Sequence, residues 1–138
     1  MRVFVNLSEE QRRFVHTVRD LAQSEFRSRA LRYMDGTFPW ENMRDLARLG
    51  VLGMAVPEEY GGLGLPVFDT ALVLEEIAKA CYVTAMAVLG EVGVQTRIIA
   101  TYAPEPIKER VLAGGVPRRR DLGDLHDRAR RRHRCRQL

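Results

Sequence analysis

The segment from Leu49 to Leu65 reads LGVLGMAVPEEYGGLGL, and it constrains the fold more than any other part of the chain. Five glycines and one proline interrupt it, and no helical or strand period of apolar residues runs through it. Gly50 follows a helical pattern, where a residue without a Cβ readily adopts the left-handed conformation that ends a helix. Pro57 favours an extended conformation of the residue before it. The segment predicts an irregular connector between two helices, with a turn at three glycines: Gly61, Gly62 and Gly64.

Helical patterns account for most of the remaining residues before residue 114. The first helix is expected to begin at Ser8, because Ser8 and Gln11 have the spacing of a capping box. Apolar residues then recur at three- and four-residue steps, which is the period of one helix face. No hairpin signal is found in the sequence. We therefore expect an all-α domain of about five helices that begin near Ser8, Pro39, Asp69, Val83 and Pro104, the fourth running to Ala100 and the fifth to Leu112.

The net charge of +4 is unevenly distributed along the 138 residues. Residues 114–138 hold nine Arg against three Asp, whereas residues 1–113 hold 13 Lys and Arg against 15 Asp and Glu. We therefore divide the sequence into a slightly acidic domain, residues 1–113, and a basic tail, residues 114–138. A chain of this length can form one domain with an apolar core that needs neither disulfides nor metals.

The cysteines and the apolar runs indicate the expected environment. Cys81 and Cys135 are too few and too far apart for a disulfide framework or a metal site. The apolar start, Met1 to Val5, is too short for a secretory signal, and no run reaches the length of a membrane span. We therefore expect no metal, no membrane contact and a reducing, cytoplasmic location.

Three features of the helices invite a functional interpretation. His16 has the chemistry of a general base, but it lies off the apolar stripe and has no acidic or nucleophilic neighbour in sequence, so a solvated position is expected. Trp40 has a ring that can stack on a cofactor, although packing against the core is the favoured interpretation. Glu75 and Glu76 are adjacent and point about 100° apart on a helix. The two carboxylates are therefore expected to be solvated or ion-paired rather than to share a proton-transfer site.

The fourth helical pattern differs from the others, because apolar residues surround most of its circumference. Such a helix is expected to be buried on most sides. Gly90 and Gly93 each cost about 1 kcal/mol relative to Ala inside a helix. Either close helix packing or room for a ligand would compensate for that cost.

The connector resembles the segment between the second and third helices of the acyl-CoA dehydrogenase family, FAD-dependent oxidoreductases that desaturate acyl thioesters. The FD and LEEIA sequences within residues 68–78 resemble the family's third helix, and IKERVL at residues 107–112 resembles its fifth. Residues 1–113 are thus similar to the family's amino-terminal all-α domain. One departure is TYA at residues 101–103, where the family usually has a glycine.

The resemblance implies an acyl-CoA substrate, an FAD cofactor and a homo-oligomer. In the family, the catalytic base and most flavin contacts come from later domains, so no catalytic, cofactor-binding or metal-binding residue is assigned in this chain. Alone, the domain is expected to expose an apolar side and to be marginally stable or poorly soluble. The fourth helix resembles the element that walls the acyl cavity, and by position four of its residues are expected to face a fatty or branched acyl tail: Met86, Leu89, Gly90 and Gly93.

The resemblance stops at about Ala113. There the family continues into a Thr-Glu-Pro-x-x-Gly-Ser/Thr-Asp motif that helps to seat the flavin, whereas this chain becomes Arg-rich. A disordered basic tail is one interpretation. A second makes the chain a small helical binding protein whose basic arm contacts polyanions or an acidic partner. The tail, however, has no aromatic residue to stack on bases.

A frameshift near Ala113 or Gly114 explains the tail better. Codons for residues 114–138, read one base later with every Arg taken from the CG-type box, can encode Cys-Thr-Thr-Glu-Pro-Asp-Ala-Gly-Thr-Asp, which is the missing motif in its expected place. The protein sequence fixes the first two bases of each original codon, and all of these bases are compatible with the shifted reading. We therefore expect an out-of-frame tail and an amino-terminal fragment that is inactive alone.

Overall fold

The computed structural model describes residues 6–115. In this part of the chain the regular elements are all helices, as the sequence predicts. The long first and fourth helices each contain a π-helical segment, Ala22–Phe26 and Leu89–Gln95. The first helix, α1, is formed by three consecutive pieces, Glu9–Leu21, Ala22–Phe26 and Arg27–Arg29, and a 3₁₀ turn at Ala30–Tyr33 follows it. The other helices are α2 at Trp40–Arg48, α3 at Val67–Ala80, α4 at Tyr82–Tyr102 and α5 at Glu105–Gly115.

The start of α1 has the capping box that its sequence predicts. The Gln11 amide donates to the Ser8 hydroxyl at 3.1 Å, and the Ser8 amide donates to Gln11 Oε1 at 2.9 Å. Two backbone donors that the helix leaves free are thereby satisfied. The predicted apolar stripe of α1 turns inward, with its most buried members at Val18, Ala22 and Phe26.

One apolar core joins α1, α2, α3 and α4. Each helix contributes the apolar side chains of one face, and the short 3₁₀ turn at Val51–Gly53 adds to them. Each Å² of apolar surface that these side chains remove from water favours folding by roughly 25 cal/mol, and this burial is the main favourable contribution to the stability of such a domain. Among its fully buried members are Phe26, Leu46, Met54, Ile77, Val73, Val88 and Val92.

The connector folds back on itself because of its glycines. Gly61 has φ +88°, a left-handed conformation that side chains with a Cβ rarely adopt. Gly62 has an ordinary φ, but a Cβ there would lie 2.1 Å from the carbonyl oxygen of Val56. The close approach lets the Leu65 amide donate to the Met54 carbonyl at 2.7 Å. The predicted turn is confirmed, and Gly62 is required by steric contact rather than by φ.

The structure corrects the prediction for Trp40. The side chain is 65% exposed instead of packed in the core, and its ring centroid lies 4.5 Å from that of Phe38. Trp40 is the first residue of α2 and follows the buried Pro39, whereas the inner face of the helix is formed by Met43 and Leu46. Its position at the helix start therefore turns the ring away from the core.

The prediction that the fourth helix is buried on most sides is also wrong. α4 buries one stripe, which includes Val88 and Val92, against the rest of the domain. The described residues pack against that side alone, so the apolar residues on the other sides face outward. The exposed ones are Tyr82, Met86, Leu89, Val94, Ile98 and Tyr102.

The acidic and histidine side chains lie where the sequence places them. His16 is exposed, as predicted, but the expectation that it has no acidic neighbour is wrong, because Nδ1 lies 3.0 Å from Asp20 Oδ2 one turn later. Glu76 is buried whereas Glu75 is exposed, so the two carboxylates do not form one site. α5 extends to Gly115, three residues beyond the predicted end. Gly114 and Gly115, the first two residues of the predicted tail at residues 114–138, belong to this helix, and residues 116–138 lie outside the described residues.

Candidate functional site

The four residues predicted to face an acyl tail lie on the outward side of α4. Met86 is 46% exposed and Leu89 is 40% exposed, while Gly90 and Gly93 are partly exposed. We call the surface formed by these four residues the α4 outer face. The structure thus brings the predicted residues together on one helix, as an open surface.

The π-helical segment widens the helix at this face. The Thr96 hydroxyl donates to the Glu91 carbonyl at 2.8 Å, five residues earlier, and so bonds to a carbonyl of the widened turn. A Cβ on Gly90 would meet nothing within 4 Å, whereas one on Gly93 would lie 3.0 Å from Leu89 Cδ1. Packing among the described residues therefore does not require a glycine at position 90, and the space in front of it is free.

Buried hydrogen bonds hold the start of α4 in place. The Asn42 side-chain amide donates to the Thr84 hydroxyl at 2.8 Å, and this hydroxyl donates to Cys81 Sγ at 3.1 Å. Asn42 also accepts a hydrogen bond from Arg29 at 3.0 Å. The chain of contacts joins α1, α2 and α4, so the first turn of α4 has a fixed orientation.

The later part of α4 is attached to the connector. The Arg97 guanidinium donates to the Leu65 carbonyl at 3.5 Å and to the Thr70 hydroxyl at 3.4 Å. The connector in turn reaches α5, because the Tyr60 hydroxyl donates to the Glu105 carboxylate. This hydrogen bond raises the pKa of Tyr60 to about 12. The α4 outer face is therefore presented by a helix that is fixed near both ends.

An ion-pair network supports the layer beneath α4. Glu76 on α3 accepts hydrogen bonds from Arg19 on α1 at 2.8 Å and from Lys79 at 2.9 Å. The hydrogen bond from Arg19, followed by the one from Lys79, lowers the pKa of Glu76 from 4.5 to about 2. A buried carboxylate with this pKa is ionised at neutral pH and serves to join helices, not to transfer protons.

A cavity of about 640 Å³ lies elsewhere, between the start of α1, the connector and the start of α3. Among its lining residues, Gln11 donates to Asp69 Oδ1 at 2.8 Å, a contact between residues 58 positions apart. No residue of the α4 outer face is among its lining side chains, so the cavity and the predicted face are separate features. The cavity is lined by Ser8, Glu10, Gln11, Arg13, Phe14, Thr17, Glu58, Leu63, Leu65 and Asp69.

Within residues 6–115, neither a metal nor a flavin finds a built site. No group of three or more His, Cys, Asp and Glu side chains in this part of the chain could hold a metal ion. Every buried side-chain nitrogen and oxygen atom there already has a hydrogen-bond partner. No buried polar side-chain atom in this part of the chain is therefore left for a flavin to satisfy.

The prediction that no run reaches the length of a membrane span is wrong, because α4 has the length and composition of such a helix. This helix comprises Tyr82–Tyr102, and 28% of the 18-residue stretch that is apolar enough to span a membrane is buried inside the domain. Helices that pack in the core of a soluble protein meet the same test, so this is weak evidence for a membrane span. Val88 and Val92, both fully buried, show that one side of α4 packs against its own domain.

Comparisons with known proteins agree with this architecture. The acyl-CoA dehydrogenase amino-terminal domain matches residues 8–116. The chain is 37% identical over 116 residues to the 3-sulfinopropanoyl-CoA desulfinase of Advenella mimigardefordensis, covering 80% of this chain and 29% of that protein. It is 41% identical over 108 residues to the cyclohex-1-ene-1-carbonyl-CoA dehydrogenase of Syntrophus aciditrophicus, covering 77% of this chain and 26% of that protein. The chain therefore spans less than a third of the length of these relatives.

A comparison of folds agrees with these sequence similarities. The fold is similar to a chain in the structure of the electron transferring flavoprotein of Acidaminococcus fermentans, with a TM-score of 0.68 and 25% sequence identity. The similarity covers 80% of this chain and 30% of that chain. The helices, the connector and the matched range agree with one another, and the chain therefore belongs to the acyl-CoA dehydrogenase family, in which it corresponds to the amino-terminal domain.

Proposed function

We propose that this chain is the amino-terminal part of an FAD-dependent acyl-CoA dehydrogenase and that its α4 outer face forms one wall of the acyl pocket. The observation that supports this most is the apolar surface of Met86, Leu89, Gly90 and Gly93, exposed on a helix that is fixed near both ends. An exposed apolar surface on a rigid element commonly marks a site for a ligand or a partner. The complete enzyme desaturates the α,β bond of an acyl-CoA thioester.

The wall acts by excluding water from the acyl tail. Each methylene that leaves water for an apolar surface gains about 0.8 kcal/mol, so a tail against Met86 and Leu89 gains binding energy. A fixed helix also positions the tail without a further loss of conformational freedom. In the complete enzyme, a bound FAD would supply the acceptor for the hydride that leaves the β-carbon. The resemblance gives the catalytic base and most flavin contacts to later domains, and the buried polar side chains of residues 6–115 already have hydrogen-bond partners, so we assign the flavin and the base to other segments of the complete protein.

The Arg-rich tail is, in this proposal, the product of a frameshift. The match to the family domain ends at residue 116, close to the proposed frameshift at about residue 113 or 114, and the shifted codons encode the family's motif about ten positions further on. Sequencing the gene is the direct test. We expect the shifted frame to continue with a dehydrogenase-like sequence, and an early stop in that frame would exclude a frameshift. The proposed location is the cytoplasm, and the complete enzyme is proposed to be a homo-oligomer.

The catalytic proposal is tested in a complete enzyme. Residues 8–112 replace the corresponding segment of the Syntrophus aciditrophicus dehydrogenase, and the purified graft is examined for visible flavin absorbance and for its bleaching by acyl-CoA. We expect flavin to be bound and bleached, and the 138-residue chain alone to be colourless. Flavin bound by the 138-residue chain alone, or a flavin-loaded graft that no acyl-CoA bleaches, would contradict the proposal.

A basic arm that binds polyanions is the competing function. It predicts salt-sensitive binding of the 138-residue chain to a polyanion such as heparin, lost on removal of residues 114–138. If the chain binds heparin in this way and no acyl-CoA bleaches the flavin-loaded graft, polyanion binding replaces dehydrogenation as the proposed function.

A further inference from the structure

The cavity between the start of α1, the connector and the start of α3 has an apolar floor that the described residues leave partly open. Phe14, Leu63 and Leu65 line it and pack against the core, yet each of these side chains keeps part of its surface exposed. The volume of about 640 Å³ is within the range of roughly 300–1,000 Å³ that is typical of binding pockets. An apolar occupant would remove this floor from water, which favours binding.

Acidic residues outnumber basic ones around the cavity. Glu10, Glu58 and Asp69 line it, and Arg13 is the single Lys or Arg among the lining residues. Glu10 and Glu58 are exposed, whereas Asp69 is buried and accepts a hydrogen bond from Gln11 at 2.8 Å. The charge therefore favours an occupant that has a positive group close to an apolar one.

The sequence before α1 has this chemistry. Residues 2–5 read Arg-Val-Phe-Val, which is one cation followed by three apolar residues. They lie outside the described residues, and they precede the range that matches the family domain, residues 8–116. Ser8, three positions after Val5, is itself one of the residues that line the cavity.

The chain before Ser8 is long enough to reach the whole α1 side of the cavity. An extended chain rises at most about 3.5 Å per residue, so Phe4 can lie up to about 14 Å from Ser8. The lining residues of α1 run from Ser8 to Thr17, and nine residues of a helix also span about 14 Å. Leu7 is partly buried, so the chain is still against the domain immediately before Ser8.

We propose that residues 2–5 of this chain bind in the cavity, with Phe4 against its apolar floor and Arg2 beside its carboxylates. In an extended segment alternate side chains point the same way, so these two can enter together. Because the segment is covalently attached, its effective concentration at the cavity is on the order of millimolar, and weak contacts suffice. The proposal is independent of the acyl pocket, since no residue of the α4 outer face lines the cavity.

Chymotrypsin cleavage after Phe4 tests the proposal, because a bound segment is not accessible to the protease. The 138-residue chain is compared with a synthetic peptide of residues 1–10, and mass spectrometry follows the release of residues 1–4. We expect the chain to be cleaved at least about tenfold more slowly than the peptide, since only the fraction with a released segment is cut.

Two double variants locate the contact. Glu10→Arg with Glu58→Arg reverses two charges that line the cavity, and it should raise the cleavage rate at least about fivefold, because the cavity then repels Arg2. Glu9→Arg with Glu59→Arg makes the same change at neighbouring exposed residues that do not line the cavity, and it should alter the rate by less than about twofold. Circular dichroism checks that both variants fold. If either does not, Glu58→Arg and Glu59→Arg are compared as single variants in the same way.

Three results would overturn the proposal. The first is cleavage of the 138-residue chain at the rate of the peptide. The second is equal acceleration in the two double variants, because the segment would then bind somewhere other than the cavity. The third is protection that increases with protein concentration, which would place the segment in the cavity of a second copy rather than in its own. None of these results bears on the acyl-pocket proposal.

Discussion

Arg19 on α1 and Glu76 on α3 form a two-point ion pair. The Arg19 Nε atom lies 2.8 Å from Glu76 Oε2, and Nη2 lies 3.1 Å from Oε1. Glu76 is buried whereas Arg19 is half exposed, so the pair joins the two helices at the edge of the core. A pair of this geometry has both directional hydrogen bonds and opposite charge, and it limits sliding of α1 along α3.

The pair makes stability depend on pH. A carboxyl whose pKa is lowered in the folded state favours folding at pH values above its unfolded pKa, here near 4.5, and loses that contribution as the pH falls towards about 2. Glu76→Gln should therefore lower the free energy of unfolding by about 1–3 kcal/mol at pH 7 and by much less at pH 2.5. Urea unfolding at the two pH values measures this. Equal losses at both values would show that the charge of Glu76 contributes nothing.

Glu75→Gln is the control for that variant. Glu75 contacts the same Lys79 at 2.8 Å, but its side chain is 62% exposed, where an ion pair contributes little. We expect a change within about 0.5 kcal/mol at pH 7. A loss as large as that of Glu76→Gln would show that burial does not separate the two carboxylates.

Gly62 and Gly90 should respond in opposite directions to the same substitution. Gly62→Ala places a Cβ 2.1 Å from the Val56 carbonyl oxygen, so the connector must shift, at an expected cost of at least about 2 kcal/mol. Gly90→Ala meets no atom within 4 Å in a helix and should gain about 0.5–1 kcal/mol. Thermal unfolding followed by circular dichroism compares the two. Equal effects of the two substitutions would contradict the described connector.

Thr84→Val should reveal the buried hydrogen bond that fixes α4. The substitution keeps the shape of the side chain but leaves the Asn42 amide, which donates to Thr84 at 2.8 Å, without its acceptor. A buried donor left unsatisfied costs about 1–3 kcal/mol. Thr101→Val, at an exposed position of the same helix, should change stability by less than about 0.5 kcal/mol. Urea unfolding of both variants gives the difference, and similar values would argue against the network.

Trp40 provides a spectroscopic test, since it is the single Trp of the chain. A side chain that is 65% exposed should emit at long, solvent-like wavelengths and be quenched readily by acrylamide. Trp40→Ala should reduce stability by less than about 1 kcal/mol, because little of its surface leaves water on folding. Blue-shifted emission that resists quenching would instead place the ring in the core or in an interface between copies.

The sequence was most informative where the structure depends on local chemistry. The Ser8 and Gln11 capping box and the left-handed Gly50, with φ +79°, depend on residues within a few positions of one another, and both are confirmed. The sequence predicts that Gly62 lies in the turn, but the contact with Val56 that requires a glycine there is visible only in three dimensions.

The errors concern which apolar side chains face the core. A helical period shows that α4 has apolar sides, but it cannot show whether its own domain covers them, and the exposed Met86 and Ile98 show that it does not. The contact between Gln11 and Asp69 joins residues 58 positions apart, and no local pattern predicts it. The cavity beside these two residues cannot be predicted from the sequence for the same reason.

The central claim is that the α4 outer face binds the acyl tail, and Leu89→Asp tests it most directly. In the flavin-loaded graft, a carboxylate at this position should lower kcat/KM for cyclohex-1-ene-1-carbonyl-CoA at least tenfold, because the tail would then lie against a charge. Gln95→Asp, which adds the same charge at an exposed position of α4, should change kcat/KM by less than about threefold, and flavin content should be equal in both variants. Equal kcat/KM values for Leu89→Asp and the unsubstituted graft would contradict the account.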